Sequence, residues 1–311
     1  MTKFIYNYIR HSDEFDLCRL EMRSFFGVDS PSNVLISPIE VDPSRSPFMK
    51  ERLEVLYEAE GLDQLILQLA QLDVGDYTFK VISLNDMDID TTKKIGHDKR
   101  QKVERKIGLA INGEPDLLQP QRVFGFMVLN DVWYFGDYTE SEPIWFRHQK
   151  KPHSYSTALS TRVARAVANI AVPNPTDVKV IDPCCGIGNV LVEALSMGMD
   201  IVGRDINPLI IEPTKENISY FGLEGDVVAG PIADVTDHYD VAIIDMPYNI
   251  FSKATPEQQR DILQQARRIA KRVVVVTIDT IDEIIEEVGF TIVDRGVAKK
   301  GLFVRQVLVC E

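Results

Sequence analysis

From residue 178 onward the chain switches repeatedly between two spacings of its apolar residues. Continuous apolar runs at Val178–Cys184, Asp200–Ile206, Asp226–Gly230 and Tyr239–Asp245 predict four strands buried on both faces. Arg272–Asp279 (RVVVVTID) predicts a fifth, and Phe290–Lys299 and Leu302–Cys310, separated by Lys300-Gly301, predict a closing antiparallel pair. Helical spacing fills the gaps at about 188–198, 208–221, 255–270 and 281–288. Strand and helix in alternation specify an α/β fold, a largely parallel seven-stranded sheet with helices on both faces.

The first half is patterned less regularly. A strand at Phe4–Arg10 precedes Phe15, Cys18, Met22 and Phe25, which recur at helical spacing, as do Leu62, Leu65, Ile66 and Leu69. Tyr77–Leu84 reads as a strand, and Arg122–Gly136 reads as a hairpin turning at Asn130-Asp131. Lys93–Lys106 is the most basic run, with seven basic residues against two acidic. On a helix from about 98, Val103, Ile107, Ala110 and Ile111 form one stripe, while Lys102, Arg105 and Lys106 point elsewhere. Glu142–Ser156 is the expected junction, giving an α+β domain over 1–145 and a sheet domain over 146–311.

Composition narrows the function. Of 311 residues, 45% are hydrophobic and 26% charged, which suits a folded globular protein of about two domains. Net charge is −13 and both halves are acidic, which argues against holding nucleic acid by bulk electrostatics and leaves a local patch such as Lys99, Arg100, Lys102, Arg105 and Lys106. Cys18, Cys184, Cys185 and Cys310 contain no CxxC pair, and the five histidines lack ligand spacing, so no metal site is expected. With no long apolar span and no secretory pattern at the N-terminus, a cytoplasmic protein without membrane contact is expected.

The candidate chemistry lies at the ends of the predicted strands. After the first comes Asp182-Pro183-Cys184-Cys185-Gly186-Ile187-Gly188, a glycine turn that lets backbone approach a ligand at a helix N-terminus. A dinucleotide fingerprint is incomplete because Leu191 takes the third glycine position, which disfavours a nicotinamide dehydrogenase. Asp205, 19 positions beyond Gly186 and at the end of the second strand, is placed to accept from a ribose diol. Asp182 is read either as meeting a cationic amine or as bridging to the loop backbone.

The fourth strand ends in Asp245-Met246-Pro247-Tyr248-Asn249, where open α/β sheets place ligands. It is an acceptor, a rigid turn and an aromatic plate in sequence. The exocyclic amine of a base is a poor nucleophile because its lone pair is delocalised. Hydrogen bonds to the Asp245 carboxylate and the Met246 carbonyl would aim that lone pair, with Tyr248 stacking on a splayed-out base and Asn249 at its edge.

Together these segments resemble the class I S-adenosylmethionine-dependent amino-methyltransferases, in particular the THUMP-associated tRNA guanine-N2 methyltransferases and their RNA-methylase relatives. The DPxCGxG loop is matched by Asp182–Gly188, the acidic second-strand end by Gly203–Asn207, and [DN]xPY[GN] by Asp245–Asn249. Lys151–Ala166 resembles the segment that closes over the methionine end of the cofactor, which implies a role for Tyr155 and Ser156. The resemblance implies a Rossmann-like seven-stranded methyltransferase sheet behind a THUMP-like N-terminal domain, with S-adenosyl-L-methionine as cofactor. Cofactor contacts are then implied for Tyr155, Ser156, Asp182, Pro183, Cys184, Gly186, Gly188, Asp205, Ile206, Ile232 and Asp234. Two departures stand out: Pro231 replaces the acidic residue that meets the adenine amine, leaving Asp234 or the Ile232 backbone for that contact, and Met246 stands where many relatives have proline.

The expected reaction is methylation of a base amine in RNA, foremost guanine N2 in tRNA. Asp245, Pro247, Tyr248 and Asn249 are the expected catalytic group, and the basic helix the RNA contact. Amino methylation of adenine in DNA or RNA, and RNA or cofactor binding without turnover, remain alternatives, and the need for a protein partner is open.

Overall fold

The computed structural model describes residues 2–9, 12–30, 32–84, 97–249, 252–300 and 303–311, with the backbone alone at 97, 98, 248, 249, 252, 253 and 300. In chain order the first half contains β1 (Phe4–Tyr8), α1 (Phe15–Phe26), β2 (Val34–Ser37), β3 (Met49–Ala59), α2 (Leu62–Leu69), β4 (Asp73–Ser83), α3 (His97–Gly108), β5 (Asn112–Pro115), β6 (Arg122–Leu129) and β7 (Val132–Glu140). The second half contains α4 (Thr161–Ala171), β8 (Lys179–Asp182), α5 (Asn189–Ser196), β9 (Asp200–Asp205), α6 (Ile211–Tyr220), β10 (Val227–Ala229) and β11 (Tyr239–Asp245). It continues through β12 (Tyr248–Asn249), β13 (Ser252–Lys253), α7 (Pro256–Ile269), β14 (Ala270–Thr277), α8 (Asp282–Glu287), β15 (Ile292–Lys300) and β16 (Phe303–Cys310).

The chain folds into two compact units: Met1–Ile9, Ser30–Ser44 and Phe48–Glu142 form the first, and Arg10–Asp29, Arg45–Pro47 and Pro143–Glu311 the second. Helix α1 therefore belongs to the second unit although it lies within the first 30 residues. Its buried Glu21 explains why: the carboxylate accepts from Asn169 Nδ2 at 2.7 Å and from Ser46 Oγ at 2.5 Å, both within that unit.

The first unit is a seven-stranded sheet ordered β2-β1-β3-β7-β6-β4-β5, carrying α2 and α3. The hairpin at Asn130-Asp131 turns with both residues left-handed (φ 50° and 65°), the conformation that tight hairpins favour. Three strands, β2, β3 and β5, are absent from the sequence pattern. In β3 the pattern is obscured by Lys50, Glu51, Arg52, Glu54 and Glu58, although the strand sits between β1 and β7. Glu51 is tolerated there because Asn7 and Tyr138 both donate to it. The expected first strand ends at Tyr8, and Arg10 lies outside the described residues.

The second unit has the sheet order β10-β9-β8-β11-β14-β16-β15, with β8 to β11 and β14 parallel and β16 antiparallel to both neighbours. Strand β14 (AKRVVVVT) is buried over Val273–Thr277, as its unbroken apolar run requires. Helix starts are chemically marked: Ser160 caps α4, and Thr255 forms a capping box with Gln258 ahead of Pro256 in α7. The order of the parallel strands brings the ends of β8, β9 and β11 side by side.

Candidate active site

Leu191 stands where a dinucleotide-binding turn has its third glycine, a position that lets helix approach strand. Here the room comes from the other partner: a Cβ on Gly203 of β9 would lie 2.4 Å from Leu191 Cδ1. Gly188 begins α5 at φ 78°, and a Cβ there would meet Thr214 Cγ2 at 2.7 Å. The turn is thus closed by contacts from β9 and α6, and its backbone at Gly186 faces open space, since an added Cβ would touch nothing within 4 Å.

Three carboxylates converge on this turn. Asp205, ending β9, accepts from the Gly186 amide at 2.9 Å with one oxygen and from the Asn207 amide at 2.9 Å with the other. Each oxygen keeps a second lone pair for a hydroxyl. Asp182, ending β8, is 2% exposed and accepts from the Cys184 amide at 3.2 Å, bridging to the loop backbone. Burial pushes its carboxyl well above the ordinary range, the Cys184 hydrogen bond opposes this, and the charges of Asp245 and Asp205 add to the rise. Burial and the same three carboxylates also push the Cys184 thiol well up, so it stays protonated and packs the loop. Among the described residues no group of three His, Cys, Asp or Glu side chains could hold a metal ion.

Asp245 ends β11, and Met246 extends the ladder by one step, its amide donating to Val276 O at 2.9 Å. Its side chain is buried in the core with Ile244 and Val275. Proline has no amide to make this bond, so methionine at this position ties the turn to β14. Pro247 O accepts from the Ala254 amide at 3.1 Å, and the backbone of Tyr248 and Asn249 pairs with Ser252 and Lys253. The side chains of Tyr248 and Asn249 lie outside the described structure.

The remaining expected residues are spread around this centre. Ile206 is exposed just past β9, and Tyr155 and Ser156 are exposed in the irregular segment before α4. Ile232 sends its side chain into the core. Asp234 points outward, its carboxylate 3.9 Å from the Arg204 guanidinium. Arg204 Nε also donates to Pro231 O at 2.9 Å, so this arginine fixes the turn after β10. In the first unit, α3 ends at Gly108, so of the expected stripe Ile107 is buried in the helix and Ile111 just past it, whereas Lys99, Lys102, Arg105 and Lys106 are exposed; Lys106 pairs with Asp63 at 2.9 Å. Positions 93–96 of the basic run lie outside the described residues.

Four residues that the motifs do not include hold the site together. Thr214 Oγ1 lies 2.7 Å from Gly186 O. Asn217 Nδ2 donates to Ile187 O at 2.9 Å and to His153 O at 3.1 Å, and its oxygen accepts from the His153 amide at 2.9 Å. Asn189 donates to Leu159 O and accepts from Lys151. Glu193 binds His148 Nδ1 at 2.7 Å and Arg165 Nη1 at 2.8 Å. The segment 148–159 is thereby fastened to α5, α6 and the glycine turn. Thr214 and Asn217 leave a trace in the sequence, as polar residues on the Ile211, Ile218 stripe of an amphipathic helix.

Comparison with known proteins places this geometry. Residues 148–281 match the UPF0020 family model, described as RMKL-like, methyltransferase domain. A tRNA (guanine(10)-N2)-dimethyltransferase of Methanothermobacter thermautotrophicus is 30% identical over 122 residues, 38% of this chain and 36% of that one. The corresponding enzyme of Methanocaldococcus jannaschii is 24% identical over 271 residues, 76% of each chain. The match thus spans about a third of the first relative's length and three quarters of the second's. The crystal structure of TrmN from Thermus thermophilus shares the fold, with a TM-score of 0.51 and 18% identity over 99% of both chains. Residues 148–281 therefore resemble a methyltransferase domain of the UPF0020, RMKL-like type, and lie in a second unit whose seven-stranded sheet, which runs on to Cys310, has a Rossmann-like methyltransferase fold.

Proposed function

We propose that the chain methylates the exocyclic N2 amine of guanine in tRNA, with S-adenosyl-L-methionine as donor. The observation that carries this reading is the meeting of Asp182, Asp205 and Asp245 at adjacent strand ends within the matched methyltransferase domain. The activity of the two tRNA (guanine(10)-N2)-dimethyltransferases that this chain resembles supports guanine N2 and tRNA.

The residues present suit the donor. Gly186 leaves space for it, Asp205 retains acceptor capacity for its ribose, and Asp182 lies beside the carboxylates of Asp205 and Asp245, a grouping that a cationic ligand would stabilise. Asp182–Gly188, Asp205, Ile206, the Ile232 backbone, Asp234, Tyr155 and Ser156 would hold it. When bound, it supplies a methyl carbon made electrophilic by the attached sulfonium.

The protein's work is then positional. Asp245 and the Met246 carbonyl would accept from the base amine and aim its lone pair toward the donor's methyl group, and Asp245 would take the proton that the amine releases. Pro247 fixes the turn, Tyr248 stacks on the base and Asn249 meets its edge. Holding the reactants in line contributes up to about 7–11 kcal/mol to catalysis. A THUMP-like role for the first unit, with Lys99, Arg100, Lys102, Arg105 and Lys106 on RNA phosphates, completes the reading, and a cytoplasmic location is proposed with it. Reversing two of these charges should weaken tRNA affinity at moderate salt.

The test is transfer of labelled methyl from S-adenosylmethionine into an unmodified tRNA transcript, with nucleoside analysis. Labelled N2-methylguanosine is expected. Labelled methyladenosine would move the target to the adenine amine, and cofactor binding without incorporation into any RNA would contradict turnover.

A further inference from the structure

The pairing register of the second sheet leaves part of its last hairpin unsupported by β14. Strand β14 ends at Thr277, opposite Gln306, whereas β15 and β16 continue to pair through Ala298–Arg305, Lys299–Val304 and Lys300–Phe303. Three residues per strand therefore project roughly 10 Å past the sheet. They project on the side of the sheet where β8, β9 and β11 end in carboxylates. Strand β16 lies two strand spacings from β11, roughly 10 Å.

The overhang carries a charge opposite in sign to that of the chain as a whole. From Gly296 to Arg305 the sequence holds three basic residues and no acidic one, in a protein of net charge −13. Phe303 and Val304 are exposed at 41% and 42%, and Lys299 is also exposed. The aromatic ring is not loosely held: the buried Arg305 lies with its guanidinium 4.4 Å from the Phe303 centroid, and Arg305 Nη2 donates to Thr157 O at 3.1 Å. Thr157 belongs to the segment fastened over the glycine turn, so one arginine ties the overhang to the rim of the site.

We propose that the β15–β16 overhang is a contact surface for the RNA strand beside the target base. Phe303 offers a face to an unstacked neighbouring base, Lys299, on the opposite face of the two-stranded ribbon, meets a phosphate of the strand that passes the ribbon's end, and Arg305, on the same face as Phe303, is the positioning residue that holds it toward the site. The proposal rests on the reading of the site as an RNA methyltransferase. An exposed aromatic and an exposed lysine on one short ribbon are groups that single-stranded nucleic acid selects, because every base has a face to stack and every linkage a negative charge.

The test uses the full chain and an unmodified tRNA transcript, with affinity followed by fluorescence anisotropy over a salt series and donor affinity by calorimetry. Phe303→Ala should weaken RNA binding about tenfold with the salt slope unchanged. Phe303→Tyr should bind like the parent protein. Lys299→Glu should lower the slope of log affinity against log salt by at least about 0.7, one phosphate contact. Donor affinity should be the same in all three. RNA affinity and salt slope equal to the parent in Phe303→Ala and Lys299→Glu would overturn the proposal, as would a parent protein that binds no RNA. A parent that binds RNA without methylating it would contradict the proposed function, while the variant affinities would still decide the surface.

Discussion

Within the second unit the same side chain behaves in opposite ways at two places along the sheet. Near the amino-terminal ends of β11 and β14, Asp294 receives two hydrogen bonds of 2.8 Å from Arg23. Burial raises its carboxyl, but the Arg23 bonds, the Arg295 amide and the Arg23 charge outweigh burial and hold it below the ordinary range. At the carboxyl-terminal ends, Asp182 is buried beside Asp205 and Asp245, and burial and charge push it the other way. An acid matched to an arginine is already neutralised and serves the scaffold; acids buried together at strand ends, where each raises its neighbour, mark the candidate site. A cavity of about 550 Å³ also opens at the amino-terminal end, lined in part by Arg23, Asp294 and Arg272. There Arg23 with Asp294, and Arg272 with Glu311, satisfy each other, so volume alone does not locate the chemistry.

The comparison can be broken most severely at a scaffold carboxylate. Glu193 and Arg165 are 1% and 2% exposed, and Glu193→Ala would leave the guanidinium buried and unmatched. A loss of about 3–5 kcal/mol in urea unfolding is expected; a loss below about 1 kcal/mol would mean that the pair is not what holds α4 to α5.

Glu21 sharpens the contrast because it is a scaffold acid displaced upward. Burial pushes it up to about 7, against the bonds from Ser46 and Asn169 and the charges of Arg165 and Arg45. The folded state then holds this proton to higher pH than the unfolded chain, whose glutamates titrate near about 4.3. Its stabilising contribution is complete below about 4.3 and is lost as pH rises to about 7, a decline of roughly 3 kcal/mol. Unfolding at a series of pH values should show this decline in the parent protein and not in Glu21→Gln. Parallel curves would place the titration elsewhere.

At the site itself, Asp205→Ala removes the acceptor of the Gly186 and Asn207 amides and any ribose contact. Charge-assisted bonds of this kind contribute about 1.5–3 kcal/mol, so calorimetry should show donor affinity reduced by ten- to a hundredfold. The smallest effect is expected from Asp294→Asn, whose partly exposed pair with Arg23 contributes at most about 1 kcal/mol and should fade with added salt.

How much of this was legible in the sequence differs between the two sheets. Strand β11 was read to its exact bounds because YDVAIID is an apolar run closed by its functional acid. Strand β3 was not, because Glu51 and its charged neighbours look solvated until Asn7 and Tyr138 are brought from other strands. The glycine turn, Asp205 and the β11 end were visible as motifs, since their spacing along the chain is set by one strand and one turn. Asn217 and Thr214 were not, because their partners at His153 and Gly186 lie 64 and 28 residues away. The same distance problem hid the membership of α1: its apolar spacing specifies a helix but not that Glu21 reaches Asn169, 148 residues on.

The central claim is that one end of the second sheet separates two tasks, holding the donor at β8 and β9 and orienting the base amine at β11. Asp245→Asn tests it most directly, with donor affinity by calorimetry and the single-turnover rate of methyl transfer into tRNA measured on the same preparation. Donor affinity within about twofold of the parent and a rate lower by at least about a hundredfold are expected, since a misplaced nucleophile costs rate and not donor binding. A near-normal rate would contradict the account.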